Sequence, residues 1–434
     1  MSALARLLQG LGHEVSGTDL REGAALADLA DLGMEVAKGH HPAMALRADL
    51  VVASSAVPDH DEELEAAEEA GIPSWRRPQL LGRLTAAIPT IAATGTHGKT
   101  TTTGLLVTTL RAAGLDPSFI IGGALIGLGT NGHLGRDDLL VLEADEAFRT
   151  FESLVLRGLV VTSIEPEHLD HFGTEQDLVD SFCAVVERVD GPVVACGDDS
   201  GAAEVARRTG AIVYGQGEAA VWRITGLARG GEHTTFDLQG PEGEVGVRLI
   251  PPGKHVALNA AGAIALGASL GHDLELLAAG AARYRGVARR WDHRGTVGGV
   301  ILYDDYAHHP TEVAATLEAA RQTSPKRIWA VFQPHLFSRT ERLAADFGRA
   351  LAEADVVVVT DVYGAREEPV PGVTGELVAD AARDVGATVH YVPHRADLAH
   401  YLAPLVAPGD LVVSMGAGDI TLLHTELAPM LERG

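Results

Sequence analysis

Residues 91–103 read IAATGTHGKTTTT, a pattern suited to holding the phosphates of a nucleotide. A short apolar strand leads into a loop, where Gly95 and Gly98 allow the backbone to approach phosphate closely. The helix that follows turns its N-terminal amides toward the anion, Lys99 can reach the terminal phosphates, and Thr100 can offer a hydroxyl to Mg²⁺. A chance loop would lack this strand and helix, so we predict that the segment binds ATP.

Acidic residues follow a second apolar strand, within the run DLLVLEADE. Glu143, Asp145 and Glu146 stand at its carboxyl end, and ligands of open α/β sheets collect at that edge. Because Mg²⁺ prefers oxygen ligands, Glu143 is predicted to complete, with Thr100, the coordination of a phosphate-bound magnesium. The alternative is that these acids only face solvent or cap a helix.

A third strand, within VVTSIEPEHLD, is followed by Glu165, Glu167, His168 and Asp170. A neutral imidazole can bind a metal, and two metals beside a transferred phosphate would neutralise the attacking and leaving oxygens. His168 is therefore a candidate metal ligand. A single histidine can equally be a packed or capping residue, and the residues alone leave both interpretations open.

The segment YDDYAHHPTE, residues 303–312, places acids, aromatic rings and two histidines after another strand, with Pro310 at a helix start. Polar chemistry of this density favours a functional cluster. Asp304 could be only a cap and His309 only a turn residue, so the individual roles stay open.

Composition narrows the function classes. The 59 acidic and 34 basic side chains give a formal charge of −25, which disfavours nonspecific nucleic-acid binding. No run reaches the roughly 18 apolar residues that a membrane helix needs, so no membrane insertion is expected. The only two cysteines, Cys183 and Cys196, are too few for a disulfide scaffold and fit a reducing compartment. We therefore predict a soluble cytoplasmic protein.

The pattern of strands and helices that must position these residues predicts an α/β protein of three domains. Residues 1–88 are predicted to be Rossmann-like, residues 89–285 to form a parallel mononucleotide-binding sheet, and residues 286–434 to form a second Rossmann-like domain. Alternating residues and turns over 221–249 indicate antiparallel strands appended to the central sheet. Residues 3–11 already have a helical pattern, so the strand and glycine turn that normally begin such a domain are expected to be missing.

The chain resembles the Mur ligases. The runs GTHGKTTT, EADE, IEPEHLD, GKHVALNAAGAIALG, GVARRWD, DDYAHHPTE, FQPHLFSRT and MGAGDI occur in the order and spacing of that family, and the resemblance covers nearly the whole chain. In detail it is greatest to the members that add L-alanine. It implies domains that bind a UDP sugar, ATP and an amino acid in turn, with UDP-N-acetylmuramate and L-alanine as substrates and ATP and Mg²⁺ as cofactors.

The resemblance also implies site residues, motif by motif. Nucleotide binding is implied for Thr94, Gly95, Thr96, His97, Gly98, Lys99, Thr100, Thr101, His255, Asn259, Arg290 and Asp305. Magnesium binding is implied for Thr100, Glu143 and His168. Substrate binding is implied for Tyr306, His308 and Arg339, and a catalytic role for Lys99, Asp305, His308 and Arg339. A planar guanidinium suits a carboxylate, although Arg339 could instead form only a surface ion pair.

The implied activity is ATP-dependent formation of an amide bond through an acyl phosphate. Two alternatives stay open: a ligase that adds a preformed peptide to the same UDP sugar during wall recycling, and a nucleotide-binding regulator without ligase chemistry. The family's glycine-rich UDP-binding turn normally lies just before the position of Met1. We therefore expect either a mis-assigned start or a truncated form.

Overall fold

The computed structural model describes residues 1–21, 23–166, 172–231 and 233–432. They form two compact units. The first comprises Met1–Gly226, Phe236–Val247 and Leu258–Tyr284, and the second comprises Leu227–Thr235, Arg248–Ala257 and Arg285–Gly434. Within the described ranges, no helix has the length and apolarity needed to cross a bilayer.

The N-terminal part of the first unit alternates short strands with helices, as predicted. Its helices are α1 (Ser2–Gly10), α2 (Ala24–Asp31), α3 (Pro42–Ala45), α4 (Glu62–Glu69) and α5 (Arg77–Ala87). Strand β1 (Ser16–Asp19) pairs in parallel with β2 (Glu35–Lys38), and β3 (Val51–Ala53) pairs in parallel with β4 (Ser74–Arg76). Among the described residues these strands form two separate two-stranded sheets.

Helix α4 illustrates how the local sequence sets an element boundary. Asp61 precedes the helix in an extended conformation, and its carboxylate accepts a hydrogen bond of 3.0 Å from the amide of Glu63. Such an N-cap satisfies one of the amides that a helix start leaves unpaired. The helix ends before Gly71, the residue predicted to stop it.

A ten-stranded sheet forms the core around the predicted phosphate loop, in the order β14-β13-β12-β11-β10-β9-β5-β8-β6-β7. Its strands are β5 (Thr90–Thr94), β6 (Ser118–Leu125), β7 (Thr130–His133), β8 (Leu140–Glu143), β9 (Gly158–Val161), β10 (Val193–Cys196), β11 (Ile212–Gly215), β12 (Trp222–Gly230), β13 (His233–Gly240) and β14 (Gly243–Leu249). Strand β5 is central, parallel to β8 and β9, and buried along its whole length. This burial explains its apolar run without alternation.

The last three of these strands, β12, β13 and β14, are neighbours in the sheet. Residues along β13 alternate between buried and exposed. The three strands are those predicted over residues 221–249. The helices that accompany the sheet are α6 (Lys99–Ala112), α7 (Glu175–Val186), α8 (Ser200–Thr209), α9 (Lys254–Ser269) and α10 (Leu274–Ala281).

The second unit contains a six-stranded sheet in the order β15-β16-β20-β17-β18-β19. The strands are β15 (Asp292–Val297), β16 (Val300–Asp305), β17 (Ile328–Phe332), β18 (Val356–Val359), β19 (Val389–Tyr391) and β20 (Leu411–Met415), and the helices are α11 (Pro310–Gln322), α12 (Phe337–Leu351), α13 (Glu376–Asp384), α14 (Leu398–Leu402) and α15 (Leu423–Leu431). Only β15 runs antiparallel to its neighbour. It lies at the edge of the sheet, has only one buried residue and lacks an apolar run, so the sequence does not predict it.

The predicted fold class is thus confirmed as α/β with a mostly parallel central sheet and a C-terminal sheet. In each unit the carboxyl ends of parallel neighbours meet at one edge. Ala93 of β5 stands in register with Glu143 of β8, and Asp305 of β16 stands in register with Met415 of β20. Both edges carry polar side chains that the sequence predicts to be functional.

Candidate active site

The predicted phosphate loop lies between the end of β5 and the start of α6. Gly95 has φ +130° and Gly98 has φ +81°, conformations that side-chain-bearing residues rarely adopt. A Cβ at Gly95 would lie 2.6 Å from the carbonyl oxygen of Ser163, and one at Gly98 would lie 2.7 Å from Oδ1 of Asn259. Glycine avoids the strain of a positive φ at both positions and a clash with backbone at Gly95, and the loop keeps the bare backbone that a phosphate cradle needs.

The segment after β9 holds this loop in place. Ser163 accepts a 2.8 Å bond from the amide of Thr96 at its carbonyl and a 3.1 Å bond from the amide of His97 at its hydroxyl. Thr96 Oγ1 in turn accepts a 2.7 Å bond from the amide of Glu165. On the other side, the hydroxyl of Thr94 donates to the carbonyl of Ala144 at 2.7 Å. Loop and neighbouring strand ends thus form one hydrogen-bonded unit.

Lys99 points back into this unit at the start of α6. Its Nζ donates to the carbonyl oxygens of Gly95 at 2.6 Å and Thr96 at 3.2 Å. It also lies 3.0 and 2.8 Å from the two carboxylate oxygens of Glu146, which is only 1% exposed. Glu146 belongs to the EADE run but was not predicted to partner the lysine, because nothing in the spacing shows which acid faces the loop.

Burial and charge act in opposite directions on this pair. Burial disfavours the charged form of Lys99, but the carboxylates of Glu146, Asp145 and Glu143 outweigh it and raise the pKa of the lysine. Burial raises the pKa of Glu146 to about 7, even though the ammonium of Lys99 favours its charged form. The lysine is therefore charged at neutral pH, and the carboxyl of Glu146 titrates near neutrality.

Oxygen donors suited to magnesium lie at the same edge. Glu143 ends β8, and its Oε1 accepts a 2.7 Å bond from the amide of Gly122. Glu143 stands in register with Ala93 of β5, two residues before Gly95, which places it beside the loop. Thr100 is half-buried in the first turn of α6. A hydroxyl and a carboxylate are hard oxygen ligands, so these residues fit Mg²⁺. The third predicted ligand, His168, lies outside the described residues.

The two residues predicted near adenine fall in different units. Asn259, 6% exposed, belongs to the first unit and packs against the backbone of Gly98. His255 belongs to the second, and burial lowers its pKa to about 4, with Glu318 opposing the shift and Arg290 adding to it. The ring is therefore neutral at pH 7 and can serve as an uncharged hydrogen-bonding partner.

In the second unit Asp305, at the end of β16, holds a strained turn. Its Oδ2 accepts a 2.7 Å bond from the amide of Trp291, and its Oδ1 accepts a 2.8 Å bond from the amide of Ala307. Burial raises its pKa to about 6 against the opposing effect of Arg290. Arg289 and Trp291 have φ of +63° and +48°, so the turn places Arg290 between two left-handed residues.

Arg290 and its neighbour share an aromatic surface. The guanidinium carbons of Arg289 and Arg290 lie 4.8 and 5.1 Å from the ring centre of Tyr306, within the range of cation–π attraction. Arg290 also lies 3.3 Å from Oε1 of Glu312. Neither Arg289 nor Glu312 was predicted. Glu312 stands in the first turn of α11, where a sequence pattern indicates only a cap.

The same glutamate orients His308. Its Oε2 accepts a 3.0 Å bond from the amide of His308 and lies 3.2 Å from the ring Nδ1, which is also 3.0 Å from the carbonyl oxygen of Tyr306. Both partners of Nδ1 are acceptors, so in the neutral ring Nδ1 carries the proton and Nε2 carries the lone pair. This tautomer suits a general base acting through Nε2.

Arg339 joins the cluster through a histidine that sequence reasoning missed. Its NH1 lies 3.5 Å from Nδ1 of His335, and the ring of His335 lies 6.0 Å from those of His308 and Tyr363. Burial lowers the pKa of His335 to about 3, with His308 and Arg339 adding to the effect. The second unit thus brings together Arg290, Asp305, Tyr306, His308 and Arg339.

Comparisons with known proteins agree over the whole length. Three family models match, described as the Mur ligase family catalytic domain over residues 1–88, the Mur ligase middle domain over residues 93–267, and the Mur ligase glutamate ligase domain over residues 289–418. The chain is 43% identical over 441 residues to a UDP-N-acetylmuramate–L-alanine ligase of Cutibacterium acnes, covering 100% of this chain and 94% of the relative.

Solved structures have the same fold. The UDP-N-acetylmuramate–alanine ligase MurC of Thermotoga maritima superposes with a TM-score of 0.86 and 26% identity, covering 99% of this chain and 96% of that one. A murein peptide ligase of Psychrobacter arcticus superposes with a TM-score of 0.74, covering 100% of this chain and 97% of that one. At 23% identity the second likeness shows the fold alone.

Proposed function

The chain belongs to the Mur ligase family, and from this premise we propose that it joins L-alanine to the carboxylate of UDP-N-acetylmuramate using ATP. Relatives with that printed activity match the chain from end to end at 43% identity. The structural observation that carries the proposal is the predicted phosphate loop, where two glycines of positive φ and the charged Lys99 follow β5, at the sheet edge where Glu143 ends β8. An ATP-dependent ligase needs this cradle, and peptidoglycan synthesis needs the amide product.

The chemistry requires activation because a carboxylate has no good leaving group. A carboxylate oxygen of UDP-N-acetylmuramate attacks the γ-phosphorus of ATP, the bond to the bridging oxygen breaks, and ADP leaves. The amine of alanine then attacks the carbonyl carbon of the resulting acyl phosphate and loses a proton. Phosphate departs with the bonding electrons, which leaves an amide. We propose this two-step route for the protein.

The first unit supplies the nucleotide side of this route. Residues 94–101 would surround the phosphates with backbone amides, and Lys99 would stabilise the charge that spreads over the transferred phosphoryl oxygens. Asn259 would contact the adenine side. Magnesium, held by Thr100, Glu143 and His168, would supply positive charge to the phosphate oxygens.

The second unit supplies groups suited to the acceptor side. Arg339 and Tyr306 would bind the alanine and muramoyl carboxylates, for which a guanidinium offers paired donors. His308 would accept the amine proton at Nε2, since its Nδ1 faces two acceptors. Arg290 would contact the phosphates, and Asp305 would contact the ribose or hold the Arg290 turn. His255 would lie near adenine.

We further assign the UDP sugar to residues 1–88, ATP to residues 89–285 and the amino acid to residues 286–434. The cytoplasm is the proposed location, because ATP is consumed and both cysteines are free thiols.

The direct test mixes the purified chain with UDP-N-acetylmuramate, ATP, Mg²⁺ and L-alanine, and follows phosphate release and product mass. We expect phosphate release to depend on alanine and one alanine to be added per UDP sugar. Release that depends on a tripeptide instead would assign the chain to recycling. Nucleotide binding without any product would assign it to regulation.

Replacing the loop lysine tests its role, and replacing an exposed lysine elsewhere provides the matched control. Lys99→Met should lower kcat by about 10²–10³-fold, because a preorganised charge aimed at the transferred phosphoryl group is lost. Lys38→Met removes an exposed lysine from β2 and should leave kcat unchanged. Equal effects from the two substitutions would contradict the assignment of ATP to this loop.

A further inference from the structure

Lys99 has no unused proton donor in this structure. An ammonium carries three donors, and here they serve the carbonyls of Gly95 and Thr96 and the carboxylate of Glu146. Any phosphate that binds the lysine must therefore take over a donor from one of these acceptors. The two carbonyls are neutral, whereas Glu146 can carry charge and contacts Nζ through both carboxylate oxygens, at 3.0 and 2.8 Å.

Glu146 cannot turn away to solvent when that exchange occurs. It is 1% exposed, and the side chain of Lys99 is 16% exposed. A phosphate arriving at the lysine consequently brings negative charge toward a buried carboxylate that keeps its place. Two negative groups around one ammonium are unfavourable in a low-dielectric site, and adding a proton to the carboxyl removes the conflict.

We propose that Glu146 is a positioning residue for Lys99, and that it takes up a proton when nucleotide phosphate binds the lysine. The inference rests on the proposed use of ATP and adds a proton-linked step to it. In the free protein the charged carboxylate holds the lysine against the loop. In the nucleotide complex the neutral carboxyl remains an acceptor for the lysine while the phosphate supplies the counter-charge.

In the free protein, Glu146 can gain or lose a proton near neutral pH. Burial raises the pKa of Glu146 to about 7, opposed by Lys99 and supported by Asp145. Besides Lys99 at the start of α6 and Glu146 itself, two charged groups act on the pair. They are Glu143 at the end of β8 and Asp145 in the turn that follows. Three carboxylates thus face one ammonium, so further negative charge favours protonation.

Calorimetric titration with Mg²⁺-ADP tests this without requiring ligation. At pH 7, in buffers of different ionisation enthalpy, the wild-type protein should take up a fraction of a proton on binding. If binding raises the carboxyl pKa by about one unit, from about 7 to about 8, affinity should increase about fivefold between pH 8 and pH 6. Glu146→Gln should bind with no such uptake and with little pH dependence.

Comparing variants with the same nucleotide cancels the proton equilibria of ADP itself. Glu152→Gln, in the 3₁₀ helix that follows, removes a carboxylate paired with Arg149 and should titrate like wild type. Glu146→Asp keeps the charge and should retain proton uptake. Glu146→Gln should also lower kcat about tenfold with a smaller change in the KM for ATP, because the lysine is less firmly placed.

Equal proton uptake by wild type and Glu146→Gln, with both proteins folded by thermal unfolding, would overturn the inference. So would a Glu146→Gln protein that is folded but loses nucleotide affinity at every pH. A wild-type protein that binds no Mg²⁺-ADP would instead refute the proposed function.

Discussion

Several polar side chains at the candidate site serve the backbone as well as the chemistry. Asp305 uses both carboxylate oxygens to accept amide bonds from Trp291 and Ala307. Glu312 divides its two oxygens between Arg290 and His308. A carboxylate that satisfies two partners fixes their relative positions, so each of these acids sets the geometry of a neighbouring charged group.

Asp305→Asn should therefore loosen the turn that carries Arg290. Asparagine keeps only one acceptor oxygen, and its amide group would face an amide donor, which costs about 1–3 kcal/mol of unfolding free energy. Hydrogen exchange at residues 289–291 should accelerate, and kcat should fall. Asp384→Asn, an exposed change at the end of α13, is the control. Unchanged exchange at the turn would contradict the role assigned to Asp305.

At the scale of elements, the strand-loop-helix unit from β5 to α6 depends on two glycines for a packing reason. The loop bends so closely over the segment after β9 that Gly95 would clash with the carbonyl of Ser163 and with the hydroxyl of Thr162 if it carried a Cβ. The positive φ at both glycines adds backbone strain for any other residue. The loop shape is thus fixed by its neighbours before a ligand binds.

Gly95→Ala should combine strain and clash. We expect a loss of about 3 kcal/mol or more in the free energy of unfolding and at least a tenfold loss of Mg²⁺-ATP affinity. Gly114, after α6, also has a positive φ of +95° but has open space around its Cβ position. Gly114→Ala should cost only about 1 kcal/mol and leave affinity unchanged. Denaturant unfolding and nucleotide titration measure both, and equal effects would refute the steric argument.

At the scale of the whole molecule, the two units differ in their buried titratable groups. The second unit holds His255, His335 and His424, whose pKa values burial lowers to about 4, 3 and 4. It also holds Asp305, whose pKa is raised to about 6. In the first unit burial raises the pKa of Glu146 to about 7.

These shifts predict that acid destabilises the second unit. Below pH 6.5 the unfolded chain protonates the three histidines while the folded unit does not, so stability falls as pH drops from about 6.5 toward 4. Asp305 opposes this loss of stability, because its raised pKa lets the folded unit bind a proton at a higher pH than the unfolded chain does. This gain offsets the effect of only one of the three histidines. Glu146 acts in the opposite direction and favours the folded first unit as pH falls toward 4.5.

Hydrogen exchange at pH 7 and pH 5 should therefore show faster opening of strands β16, β17 and β20 at the lower pH than of β5, β8 and β9. His424→Gln should reduce the acid sensitivity of the second unit, because its ring is buried beside Ser414 and, between pH 7 and pH 5, binds a proton mainly on unfolding. The reverse order of opening would contradict the assignment.

The sequence by itself determined the family, the α/β class, the strand-loop-helix shape of the predicted phosphate loop and most strands, because each depends on a local pattern. A buried parallel strand is a continuous apolar run, and the glycines and lysine of the loop stand next to one another in the chain. The edge strand β15 was not predicted because it carries no such run.

Only the tertiary structure decided which distant groups meet. The pairings of Lys99 with Glu146, of Arg290 with Glu312 and of His308 with His335 each join residues that lie far apart in the chain. No spacing in the sequence specifies which of these residues meet. The pKa values depend on these contacts too, since burial and neighbouring charge are properties of the folded arrangement.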